Sequence, residues 1–166
     1  MMKKASQKPQ GIFYGETFFE FDEVDYYKSD IDEGEYGDQY DRAQNSKVDK
    51  LKFDIVFGDV PESINDTTFI KSMKKIGYSK KKIDSKDFAE LNKILAEKTP
   101  IEGVTAACIP VFRRVLVFKN KGKVSGVAKI CFSCHQYEIV GNLGSIESFG
   151  SDNDYESLGV LFDKYN

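Results

Sequence analysis

Lys129 to Val140, "KICFSCHQYEIV", contains Cys131-Phe132-Ser133-Cys134-His135, the most reactive group of side chains in the chain. As C-x-x-C-H it fits covalent haem attachment, in which two thiols add to vinyl groups and the histidine ligates iron. The motif closes a strand pattern rather than opening a loop or helix, and His135 is the sole histidine. Only Met73 lies inside the chain as a second axial ligand, so the pattern argues against haem. Zinc is the better metal. Cys108, Cys131, Cys134 and His135 make a Cys₃His set of the right softness and number. A dithiol or a Cys108–Cys134 bridge is the redox alternative, although no helix signal follows Cys134 to activate a thiol as in thioredoxin-like sites. Against all of these stands simple burial, since thiols pack as small apolar groups.

The elements around the cysteines decide how close they come. "RRVLVFK" leads into "NKG" and "KVSGVAKICF" returns, which predicts a β-hairpin with Gly122 in the left-handed position. A three-residue loop places Lys119 opposite Lys123 and Phe112 opposite Ile130. Extended further, it puts Val111 opposite Cys131 and Cys108 opposite Cys134. Pro110 breaks the ladder before that point but leaves Cys108 near the pair.

This stretch resembles a set of small uncharacterised bacterial proteins, often made as lipoprotein-like precursors. The shared pattern falls here on Cys108, Pro110, Phe118, Gly122, Ile130, Cys131, Phe132 and Cys134, and extends to Phe149–Leu161. The resemblance implies that the three-cysteine hairpin is the common feature, that His135 is not, and that the precursor is exported. It carries no activity with it.

A chain of 166 residues, 40% apolar with 13 Phe and 9 Tyr, is long enough to bury a core of its own. We expect a tail over residues 1–10 and a single α+β domain over 11–166. Its antiparallel sheet is predicted from residues 12–21, 51–57, where Leu51, Phe53, Ile55 and Phe57 alternate, and the 104–140 meander. Helices are predicted over 66–77 (Phe69, Ile70, Met73, Ile76), 85–98 (Phe88, Leu91, Ile94, Leu95) and 152–164 (Tyr155, Leu158, Leu161, Phe162). Residues 22–50 read as a long acidic loop with a short helical turn, anchored by Tyr26, Tyr27, Tyr36 and Tyr40.

Charge is unevenly spread: residues 11–66 hold 16 acidic and 5 basic side chains, whereas 67–135 hold 5 and 15. The two parts either attract each other or steer a partner. Lys71, Lys74, Lys75, Lys80, Lys81 and Lys82, with Tyr78 among them, would suit phosphates. A negative chain without arginine in that run argues against nucleic acid. "DIDEGEYGDQYD" lacks the EF-hand order. No phosphate loop, nucleophile elbow or HExxH occurs, so nothing marks an enzyme.

The expected function is therefore binding. Asp30, Asp32, Glu33, Glu35, Tyr36, Asp38 and Tyr40 would meet a basic protein partner, as in immunity or inhibitor proteins. The alternative is a zinc or redox-responsive protein acting through Cys108, Cys131, Cys134 and His135. No window reaches the length of a membrane span. The sequence as it stands points to the cytoplasm, or to a periplasmic or lipid-anchored protein if a leader precedes it.

Overall fold

The computed structural model describes residues 15–99 and 108–166. The tail at 1–10 and parts of the strands expected from 12 and from 104 lie outside them. Around the cysteines the expected hairpin forms from β3 (Arg114–Asn120) and β4 (Lys123–Cys131). Lys121 (φ 51°) and Gly122 (φ 79°) both take positive φ, the requirement of a two-residue hairpin turn. The register therefore differs from expectation. Asn120 faces Lys123, Lys119 faces Val124, and beyond an irregularity at Phe118/Lys119 Arg114 faces Ile130. One residue fewer in the turn and one extra in β4 account for both shifts.

β1 (Glu23–Lys28) lies beside β3, β2 (Ser79–Lys82) outside β1, and β5 (Gln136–Val140) outside β4, giving the antiparallel order β2-β1-β3-β4-β5. β1 corrects the acidic-loop expectation. Its charges belong in the sheet because each has a partner: Asp25, with no exposed surface, sits 2.8 Å from Lys119 and 3.2 Å from Lys80. Glu23 lies 3.3 Å from Lys82. Of the lysine run, Lys80, Lys81 and Lys82 thus lie in an edge strand, where Lys80 and Lys82 pair with the acids of β1, and the exposed lysines of that strand discourage pairing with another chain. Tyr78, 2% exposed, donates to the Phe112 carbonyl (2.6 Å) and has no face free for a base.

Alternation along the strands gives the sheet two apolar faces. Val24, Tyr26, Leu116, Phe118 and Ile130 pack with Phe18, with Leu91 and Ile94 of α4 (Phe88–Ile94), and with Leu158 and Phe162 of α5 (Asp152–Asp163). Tyr27, Val115, Val117 and Val127 pack on the other face with Ile55 and Val56 of α2 (Lys47–Val56), and with Phe69 of α3 (Thr68–Ser72) and Met73. α5 opens on a reciprocal capping box between Ser151 and Asp154. Its far end is tied to the turn before α4, where the Tyr165 hydroxyl and Lys164 Nζ both donate to Asp87. Those two donors hold the Asp87 carboxyl below its ordinary range.

Two further expectations fail. Residues 51–56 lie in α2, with Phe57 as its C-cap, and not in a strand: Leu51 and Ile55, like Phe53 and Phe57, are also helical i,i+4 pairs, and Ser46 caps the helix by accepting from Asp49 N. Of the strand expected over 12–21, the described part makes only a bridge between Thr17 and Ala96. Phe18 and Phe19 are instead buried side by side, Phe19 stacked on Phe118 at 4.4 Å. That stacking needs a bare backbone at Gly126, where a Cβ would overlap the Phe19 ring. Gly126→Ala is expected to cost about 2 kcal/mol, in the usual range for overpacking a core, as a lower urea midpoint at unchanged slope.

Candidate functional site

At the α2 end of the sheet, residues 108–113 cross between the C-terminus of α2 and the β4–β5 turn. Phe112 N donates to the Val56 carbonyl (2.7 Å) and Val111 N to Cys131 Sγ (3.3 Å). Cys108, exposed, and Cys134, 5% exposed, are joined as a disulfide with their Cα atoms 6.0 Å apart. Cys131 is a free thiol with no exposed surface, in one cluster with Phe112 and Cys134, and its sulfur lies 3.4 Å from Ser133 Oγ.

The three cysteines are thus brought together as expected, although β3 begins only at Arg114. The fourth member of the zinc set is engaged elsewhere. His135, at φ 48° in the turn, stacks on Tyr155 of α5 at 4.4 Å and places Nδ1 3.2 Å from Asp152 Oδ1. Among the described residues no group of three or more His, Cys, Asp or Glu side chains is placed to hold a metal ion.

Beside the cysteines lies a group the sequence reading passed over. Lys129 has no exposed surface. It reaches from β4 to the end of α2, donating to the Ile55 (2.8 Å) and Gly58 (2.7 Å) carbonyls with its ammonium 4.4 Å from the Phe112 ring centre. A cation there meets the unpaired carbonyls and negative end of the helix. Burial nonetheless pushes its pKa down to about 7, against the opposing pull of Glu138, Asp59 and Asp54.

The acidic segment forms a second candidate. A 3₁₀ turn over Glu33–Glu35 leads into α1 (Tyr36–Ala43), which packs against α2. Ile31 and Gln39 are buried beneath it, and Tyr36 packs on Phe53 (5.2 Å) and edge-on to Phe57 (5.1 Å). Asp32 caps the 3₁₀ turn by accepting from Gly34 N (2.7 Å), and Glu35 accepts from Gln39 Nε2 (3.4 Å). These two carboxylates serve the local structure.

The others face solvent: the side chain of Asp30 is 89% exposed, that of Asp38 63% and that of Glu33 56%. Tyr40, 50% exposed, leans edge-on against Phe53 at 5.7 Å and lies parallel to Tyr36 with ring centres 6.5 Å apart, with exposed Asp41 next to it. Composition pointed to this segment and a short helical turn was expected in it; the helix it forms, Tyr36–Ala43, is longer than that turn.

Fold and candidate sites together define an α+β protein with a five-stranded antiparallel sheet between two helical layers, carrying a bridged cysteine cluster and an acidic, tyrosine-bearing face. No helix among the described residues is long and apolar enough to cross a membrane. No family model matches the chain, and no curated protein or solved structure shows significant similarity to it.

Proposed function

We propose that this is a non-enzymatic binding protein of the immunity or inhibitor type, which presents the face at residues 30–41 to a basic protein partner. One observation carries the reading. Asp25, Asp87 and Asp154 each lie within 3 Å of a lysine and are buried in structural ion pairs. Asp30, Glu33 and Asp38 instead remain in solvent on a segment fixed to the body by Ile31, Tyr36 and Gln39. Their own ion pairs, at 3.9, 3.8 and 3.1 Å, are of the exposed kind that contributes little. Carboxylates held in this way steer a cationic partner, and a half-exposed tyrosine on a rigid aromatic base is the type of side chain on which binding energy concentrates. The Cys108–Cys134 bridge favours the periplasmic or lipid-anchored placement, because disulfides persist in oxidising compartments.

Capture of partners from the source cells tests the reading. Glu33→Lys, Asp38→Lys and Tyr40→Ala together should reduce the recovered basic partner by about tenfold or more, since hot-spot truncations cost upwards of 1 kcal/mol each. Equal recovery by the triple variant and the wild type would refute it. Asp32 and Glu35 are left unchanged because both support the turn itself.

A further inference from the structure

The cysteine cluster holds three sulfurs where one bridge needs two, and its three members differ in access. Cys108 is exposed, Cys134 nearly buried and Cys131 wholly buried. Cys131 is the last residue of β4, and the chain reverses through a turn between it and Cys134 before β5 begins at Gln136. The two side chains return to the same small cluster with Phe112. Val111 N–H, donating to the Cys131 sulfur, fixes its position at this end of the sheet. At the Cys108 end Gln136 Nε2 donates to the Cys108 carbonyl (2.9 Å), the Ile109 carbonyl lies 3.3 Å from Cys134 Sγ, and the Ile109 side chain is 53% exposed. Residues 111 and 112 are anchored to β4 and α2 by hydrogen bonds in which Cys108 takes no part.

We propose that these residues form a thiol–disulfide exchange site, in which the bridge passes from Cys108–Cys134 to Cys131–Cys134 and leaves Cys108 as an accessible thiol for a low-molecular-weight disulfide. In the first step the Cys131 thiol, which has no surface of its own, passes its proton to water through the exposed Ser133 hydroxyl 3.4 Å away, and its sulfur attacks Cys134 Sγ. The Cys131–Cys134 bond forms, the Cys108–Cys134 bond breaks, and Cys108 departs as a thiolate that takes a proton from water. Nothing is oxidised or reduced overall, so the step needs no reagent that the protein lacks. In the second step Cys108 gives that proton back to water, and its thiolate attacks one sulfur of the small disulfide and forms a mixed disulfide. The other half leaves as a thiolate and is protonated. Burial of Cys131 is part of the device: a thiol without exposed surface is closed to outside reagents but shares one packed cluster with Cys134. This site is independent of the acidic face.

The test is alkylation of the native oxidised protein with iodoacetamide at mildly alkaline pH, followed by peptide mass mapping without reduction. Wild type is expected to accumulate carbamidomethyl at Cys108 together with a Cys131–Cys134 bridge. Cys131→Ser, or Cys131→Ala if a buried hydroxyl disturbs folding, should keep the Cys108–Cys134 bridge and take up no label. No label at Cys108 in wild type, equal labelling in wild type and variant, or label on Cys131 would each overturn the exchange. Glutathione disulfide in place of the alkylating agent should add one glutathionyl group at Cys108 in wild type and none in the variant. Alkylation without glutathionylation would overturn the assigned substrate class.

Discussion

Reducing the Cys108–Cys134 bridge is expected to lower the free energy of unfolding by about 3.5 kcal/mol, the chain-entropy value for a cross-link spanning 26 residues. The physical reason lies in the unfolded chain, which the bridge restrains, more than in the native one. Val111, Phe112 and the Tyr78 hydroxyl still hold the crossing segment in place once the sulfurs separate. Urea unfolding with and without reductant measures the effect, and Cys134→Ala provides the control: in reductant, wild type should fall to the variant's level. Both cysteines lie outside the acidic face, so the fold and that face should survive reduction. A midpoint that reductant leaves unmoved would show that the bridge contributes nothing in solution.

The second large effect concerns Lys129 and pH. Its folded-state pKa of about 7 lies well below the ordinary lysine value. Below the folded value the ammonium is charged in both states. Between the two values the unfolded chain binds a proton that the native chain does not, so stability must rise with pH. From about pH 7 to about pH 9 the gain should be about 2 kcal/mol. Above that window the buried tyrosines reverse the slope. Burial pushes Tyr26 up to about 12, so the unfolded chain loses its phenolic proton first and the native state is disfavoured as pH climbs further.

Lys129→Met removes the titration but leaves the Ile55 and Gly58 carbonyls without their donor. The variant should therefore be weaker than wild type by the largest margin near the top of the window, with the two curves closing toward acid pH. Chemical denaturation across that range reads it directly. A wild-type slope that persists in the variant would assign the pH dependence to other groups.

How much of this was legible in the sequence varies by element, for physical reasons. The β3–β4 hairpin carries its own punctuation at Lys121-Gly122, and α5 carries Ser151 before an apolar stripe. Both were found, because turn and cap chemistry is local. α2 was misread because four alternating apolar residues satisfy a strand and two helical i,i+4 pairs equally well. The deciding signal was Ser46 with Asp49 three residues on, ahead of the apolar run.

β1 was hidden for a different reason. A strand with Asp25 at its centre looks like a loop until Lys119 and Lys80 are known to lie beside it, and those partners are remote in sequence. The same pairing explains the uneven charge. Part of the acidic first half is consumed by the lysines of β2 and β3; of the acids that remain exposed, Asp30, Asp32, Glu33, Asp38 and Asp41 lie around α1, and Glu16, Glu20, Asp22, Asp59, Glu62 and Asp66 lie elsewhere. Proximity of Cys108 to Cys134 was foreseen from a register that the real hairpin does not keep. The crossing segment, and not the ladder, brings them together.

The claim that the face at residues 30–41 meets a basic partner is tested most directly by zero-length carbodiimide coupling of carboxylates to amines in intact source cells, with the linked peptides then mapped. The account predicts links from Asp30, Glu33, Asp38 or Asp41 to lysines of one other protein, lost when high salt precedes coupling. Links arising instead from the acids of α5, or from none of the four, would contradict it.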